Sequence, residues 1–438
     1  MRDRFKSAVT NASDGEASRF LNWIVWLEPA LVILLAPVFL FPTPRRSILF
    51  LFLPLIFVIH FIARRRIVER SAVNAPLVLI LLMVGASLYA TYDVAFSLPK
   101  IAGTLLGAAV FFAIINSIDS SRSIAILLGL FILGSIGLSI MGLLGTQWLY
   151  KVPVLGGITA HLPVRLKGLP GAEEGFHPNA VAGGLILFLP LQIALLVSIW
   201  RDRISRRLKV LLAASLLFNG GVLVLTQSRG GWFGMAVGGL LLVSWMNRRG
   251  RWVALAVFAL ASVVVLWLGP SKVGDKMMAS IGNSSGVSPS IEGRLEVWNR
   301  AIYGISDFPF TGMGMNTFRK VVHVLYPLFL TSPDIDIASC HNQLLQTALD
   351  LGIPGLVAYV ALLAAAIAMG IGIWRHGQQH WMRASAQGLV CGIVAQQVFG
   401  ITDAIPLGAK VGIFFWIALG LLAAMHLEVS KAMRISES

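Results

Sequence analysis

Charge is what this sequence has least of. Only 13% of its 438 residues are Asp, Glu, Lys or Arg, about half the density of an average soluble domain. With 57% hydrophobic residues and a mean hydropathy of +0.80, that scarcity excludes an ordinary water-soluble globule. Apolar runs long enough to span a bilayer make the chain an integral membrane protein. Cysteine is almost missing: Cys340 falls in a predicted loop and Cys391 inside an apolar run, so no disulfide is expected and a zinc knuckle is excluded. Acidic residues are also few, 20 against 35 Lys+Arg, which leaves a formal charge of +15. In a soluble chain that excess would suggest nucleic acid. Here the basic residues gather in short clusters between apolar runs, "ARRRIVER", "WRDRISRRLK" and "NRRGR", as cytoplasmic loops do, and no nucleic-acid module is present. A Walker motif, a DxD-like metal pair, HExxH and GxSxG are absent as well, so no metal site or cofactor is expected.

What is present is length in apolar runs. They fall near 22–41, 47–63, 75–92, 102–118, 123–144, 179–199, 209–226, 231–246, 252–268, 344–374, 384–402 and 410–427. An all-α, polytopic membrane protein with about 12 transmembrane helices is expected, a single domain over 1–438. The basic clusters orient it with both termini cytoplasmic and residues 1–21 as a cytoplasmic tail; the pair Arg45–Arg46 breaks the bias. Two long segments then lie on the extracytoplasmic side: 145–178, and a larger loop at 269–343 between spans nine and ten. Within the larger loop, Ile291, Leu295, Trp298, Ile302 and Ile305 recur at helical spacing. That stripe predicts an amphipathic helix lying against the membrane surface or the bundle, with Arg294 on its edge.

Four groups of residues could carry chemistry. In "LTQSRGGWFGM", Arg229 precedes two glycines at the outer end of the seventh span. It reads either as an arginine snorkelling to the interface or as an anion ligand, a planar fork beside glycine-exposed backbone N–H groups. In "EGRLEVW", Arg294 reads by itself as an exposed residue paired locally with Glu292 or Glu296. In "SCHNQLLQ", His341 with Asn342 stands where the large loop enters the tenth span. It is a solvated helix-start residue or a general base near working pH; Cys340 has no partners that would make it a nucleophile. In "GFHPNAVAGG", His177 and Asn179 open the sixth span, as a capped helix start or as substrate contacts, and Gly183 and Gly184 permit close helix packing. Glu28, Asp403 and Lys410 lie in or near spans and need partners there; Asp403 and Lys410 are placed to pair across the last outer turn. His376 and His380 have metal-like spacing without carboxylate neighbours.

Taken in order, "FHPNAVAG", "TQSRGGWFG", "GRLEVWNRAI…FPFTGMGMNTF" and "HNQLLQTALDLGIPGL" resemble the O-antigen ligase superfamily, which includes O-antigen polymerases and protein-directed oligosaccharyltransferases. The resemblance covers residues 175–360. It implies a metal-independent membrane glycosyltransferase that takes a glycan from an undecaprenyl-diphosphate carrier and passes it to an acceptor hydroxyl outside the bacterial inner membrane, with inversion at the anomeric carbon. It also implies functional roles for Arg229, Arg294 and His341, and so lifts Arg294 out of its ordinary context. Asn342, His177 and Asn179 join the two arginines as expected diphosphate or substrate contacts. A ligase acting on lipid A–core is the leading expectation. A repeat-unit polymerase uses the same donor and stays open, and a polysaccharide transporter is the alternative from another class.

Overall fold

Backbone polar groups in a bilayer have no water to bond, so a chain of long apolar runs must close its hydrogen bonds within helices. The computed structural model describes residues 27–118, 120–148, 151–162, 164–169, 172–200, 205–268 and 291–437. The expected tail at 1–21 and the 269–290 portion of the large loop lie outside the described residues. The helices are α1 (Leu27–Leu40), α2 (Leu55–Arg64), α3 (Asn74–Ala90), α4 (Val94–Ser117), α5 (Ser121–Gly145), α6 (Pro153–Thr159), α7 (Pro178–Trp200), α8 (Arg206–Leu225), α9 (Arg229–Met246), α10 (Arg248–Leu268), α11 (Ile291–Asp307), α12 (Thr317–Leu325), α13 (Gln343–His376), α14 (His380–Phe399) and α15 (Ile413–Glu437). No strand occurs among the described residues.

The described residues of the apolar runs fall almost wholly on helix, but seven helices among them are long and apolar enough to cross a membrane. The expected count of twelve is therefore not reached by length and composition. Among the described residues α1 has 14 and α3 has 17, against the roughly 20 that a span needs at 1.5 Å per residue. The run at 47–63 is among the seven, as Arg46–Arg64, and passes at Pro54 from a 3₁₀ turn over Arg46–Phe52 into α2. The pair of histidines four apart is likewise divided, since His376 ends α13 and His380 begins α14.

Helix α14 is the hub, buried along most of its length and packed between α7, α9 and α13. Small residues make the approach possible. A Cβ on Gly234 would lie 2.6 Å from the Ala395 carbonyl oxygen, and one on Gly238 would lie 2.7 Å from the Ala395 Cβ. On the other side, a Cβ at Gly392 would run into the Leu187 carbonyl. Gly183 is as close to α14 as its sequence context suggests, a Cβ there meeting Ile405 at 2.5 Å and Phe399 at 2.7 Å. Buried Glu28 has partners: its carboxylate bonds the His60 Nδ1 at 3.0 Å and accepts from Asn116 Nδ2 at 2.8 Å.

The described part of the large loop folds around its own small core of Val297, Ala301, Met313, Phe318, Val322 and Cys340, capped by Leu349 of α13. Helix α11 packs on this core through a face offset from its apolar stripe. Its inward face is Gly293, Arg294, Val297, Ala301 and Gly304, whereas Leu295 and Ile302 of the apolar stripe are 42% and 48% exposed. At about 100° per residue the two faces lie roughly 100° apart. The smaller side chains face inward because they let the helix backbone sit close to the bundle. A Cβ on Gly304 would meet Met313 at 2.7 Å.

Helix α13 is one apolar run in sequence but two helices in space. Gly352 takes φ +70°, and Pro354 follows it. The hydrogen bonds broken there are remade by the loop: Met313 N–H donates to the Leu349 carbonyl at 2.7 Å, and Ile353 N–H to the Pro309 carbonyl at 2.7 Å. The turn "FPFTGMGMNTF" thus fastens the loop to the kink.

Candidate active site

At the end of the bundle where 145–178 and the large loop gather, one cavity is lined by Lys151, Asn179, Ser228, Arg229, Gly230, Arg294, Phe399, Thr402 and Asp403. Three of the residues singled out in sequence, Asn179, Arg229 and Arg294, meet there from separate parts of the chain. A fourth, His341, reaches it through Asp403.

The "TQSRGG" stretch builds the first wall. Helix α8 ends at Leu225, Gln227 turns the chain at φ +52°, and Ser228 caps α9 by accepting from Gly231 N–H at 3.3 Å. Arg229 is then the first residue of α9, where backbone N–H groups have no partner within the helix and the helix dipole favours an anion. Arg294 reaches the cavity from α11. Its Nη1 donates to the Thr402 carbonyl at 2.9 Å, while its Nε is buried with no partner among the described residues. The local pairing open to it in sequence does not form with Glu296, which accepts instead from Phe329 and Leu330 N–H at 2.6 and 2.9 Å. Burial lowers the Arg294 guanidinium below its ordinary range, and Asp403 opposes that shift.

The "HNQ" stretch is stitched to the α14–α15 turn. Asn342 caps α13 by accepting from Leu344 and Leu345 N–H, at 3.0 and 3.1 Å, and donates to the Ile401 carbonyl at 3.2 Å. Gln343 N–H donates to the Gly400 carbonyl at 2.7 Å, and its side-chain oxygen accepts from Ile405 N–H at 2.9 Å. Between these anchors His341, at φ +53°, sets its Nδ1 3.2 Å from Asp403 Oδ1. The other carboxylate oxygen accepts from Asn179 Nδ2 at 2.6 Å. Burial raises the Asp403 carboxyl, but the His341 hydrogen bond and the nearby charges of His341, His177 and Arg294 outweigh it and hold it well below the usual carboxylate range. An ionised carboxylate only accepts, so the His341 Nδ1 carries the hydrogen it donates to Asp403.

His177 stands at the edge of this group. Its Nδ1 accepts from Asn179 N–H at 3.2 Å, capping α7, and burial keeps the ring below its ordinary range. Cys340, buried in the loop core, donates from Sγ to the Asn342 carbonyl at 3.3 Å, and burial pushes its thiol far up, which leaves it inert.

Two residues of the cavity were not legible as site residues. Asp403 looked like a partner for Lys410; it bonds His341 and Asn179, and the Lys410 ammonium lies 4.4 Å from the Phe41 ring centroid. The available signal was an acidic residue in an apolar turn of a chain with few of them. Lys151, in "WLYKVP", gave no signal at all. It arrives because the Gln227 side-chain oxygen accepts from Lys151 and Val152 N–H at 2.9 and 2.7 Å. Burial, and then repulsion from Arg229 and Arg294, lower its ammonium.

The geometry offers a cationic pocket able to receive an anion, with a carboxylate-oriented histidine beside it. A comparison with curated proteins returns no match. Residues 213–360, a stretch holding Arg229, Arg294 and His341, match the family model described as O-antigen ligase, and over that stretch this multi-pass membrane chain is similar to that family.

Proposed function

We propose that the protein is a membrane glycosyltransferase that moves a glycan from an undecaprenyl-diphosphate carrier to an acceptor hydroxyl on the extracytoplasmic face of the bacterial inner membrane. The observation that carries this reading is the shared cavity: two guanidinium groups line it, and the carboxylate that orients His341 lines it too. The diphosphate of the donor lies between Arg229 and Arg294, whose forks and the α9 N-terminus stabilise charge as the glycosidic bond breaks. His341 Nε2 takes the acceptor proton while the oxygen attacks the anomeric carbon. The proton passes to the imidazole, the glycosidic electron pair stays with the departing diphosphate, and attack opposite the leaving group inverts the anomeric carbon. Asp403 stabilises the imidazolium that forms, and Asn179 holds Asp403.

The acceptor in this reading is lipid A–core and the donor a finished polysaccharide, which makes the protein a ligase. The decisive experiment is a deletion strain. Loss of long-chain lipopolysaccharide with accumulation of lipid-linked polymer supports the ligase; accumulation of single lipid-linked repeat units means a polymerase. Purified protein that turns over lipid-linked glycan and acceptor without an ion gradient or ATP would separate either transferase from a transporter.

A further inference from the structure

Three cations, Lys151, Arg229 and Arg294, line the cavity against one carboxylate, Asp403. Arg229 and Arg294 come from the part of the chain that matches the family model; Lys151 lies outside it, in the 145–178 segment. Lys151 forms no ion pair among the described residues, yet it is close enough to both arginines to be repelled by them. Like charges gathered without a bridging anion are unfavourable, and a ligand with spread negative charge removes the repulsion. Arg294 lines the same cavity, and its buried Nε has no hydrogen-bond partner among the described residues.

Lys151 is not there by accident of a loose loop. Gln227 directly precedes Ser228 and Arg229, and its carboxamide oxygen takes both the Lys151 and the Val152 N–H. Val152 is the residue before α6, where Pro153 has no N–H to offer. The carboxamide nitrogen of Gln227 reaches Thr159 at the other end of α6, at 3.5 Å. One side chain therefore ties the 145–178 segment to the turn that presents Arg229, so that Lys151 and Arg229 keep a fixed relation.

Resting on the glycosyltransferase reading, we infer that Lys151 is a third phosphate-binding cation, held in place by Gln227, and that it makes the site select a prenyl diphosphate over a prenyl monophosphate. Two arginines suffice for one phosphate group. A prenyl monophosphate already carries nearly two charges; the second phosphate adds about one more, and Lys151 supplies the compact third cation to meet it. Gln227 is a positioning residue, acting through the backbone of Lys151.

The test uses detergent-solubilised full-length protein with farnesyl diphosphate and farnesyl monophosphate as probes, measured by titration. Wild type is expected to prefer the diphosphate. Lys151→Met should weaken the diphosphate about tenfold or more, the scale of a lost charge-assisted hydrogen bond, with a much smaller change for the monophosphate. Lys151→Arg should restore most of the preference. Gln227→Ala should shift it in the same direction, and Lys151→Met/Gln227→Ala should be no worse than Lys151→Met alone. Thermal unfolding of each variant shows that it is folded; should Gln227→Ala fail to fold, the Lys151 pair of variants carries the test. An unchanged preference in Lys151→Met overturns the inference. If Arg229→Ala and Arg294→Ala then still lose the diphosphate, the broader reading survives; if wild type binds neither probe, both fall.

Discussion

At the residue scale, His341 holds its Nδ1 3.2 Å from Asp403 Oδ1, and the proposed reading makes its ring the general base. His341→Ala should lower kcat by about 10²–10⁴-fold, the usual worth of a general base, in a purified transfer assay. Arg229→Ala and Arg294→Ala should each abolish transfer while the protein still inserts in the membrane. Arg229→Lys should also be poor, because an ammonium cannot reproduce a planar fork. Asp403→Asn should reduce kcat with little effect on binding of the diphosphate probe, since the carboxamide no longer fixes the imidazole tautomer. The same carboxylate sets a pH dependence. Its folded pKa lies below the ordinary 3.8, so its contribution to stability is present above that value and is lost as pH falls through the folded pKa. Wild type should therefore lose thermal stability in acid more steeply than Asp403→Asn, a difference that opens as both are melted at pH values lowered from neutral through the ordinary carboxyl range and below it.

Elements position these residues through contacts between backbones. Helix α9 brings Arg229 to the cavity along a face of small residues that lies on α14, so Gly238→Val must push against Ala395 and the Cys391 carbonyl, 2.7 and 2.9 Å from the new Cβ. It should lower the melting temperature and reduce transfer together, although Gly238 lies more than two turns from Arg229. Gly352→Ala should be as severe: a Cβ at φ +70° is strained, by roughly 1–2 kcal/mol, and would meet the Phe310 carbonyl oxygen at 2.5 Å. Limited proteolysis of the large loop should accelerate in that variant, because the kink is where the loop is fastened. Helix α11 was visible in sequence as a 3.6-residue repeat, but its facing was not. The conspicuous Leu295–Ile302 stripe points away from the loop core, and the quiet Gly–Arg–Val–Ala–Gly face packs inward. Periodicity reports that a helix has sides; close packing decides which side is wanted.

For the whole molecule, the reading requires one end of the bundle to face outward. Val154 in α6 and Val324 in α12 are each 77% exposed at that end, while Cys340 and Cys391 are fully buried. Val154→Cys and Val324→Cys should both react with a membrane-impermeant maleimide applied to spheroplasts, and the native cysteines should not. Labelling only after permeabilisation would reverse the topology. Sequence by itself determined the class of protein, since apolar runs and sparse charge leave helices in a bilayer as the only way to satisfy the backbone. It also determined that Arg229, His341 and Asn179 lie at span ends, where polar side chains are tolerable. What only the tertiary structure decided is who meets whom. Asp403 passed from Lys410 to His341, and Lys151 became part of the cavity through Gln227, because those pairings join residues far apart in the chain. Hydropathy records each segment's depth in the membrane; it carries no information about which segments touch.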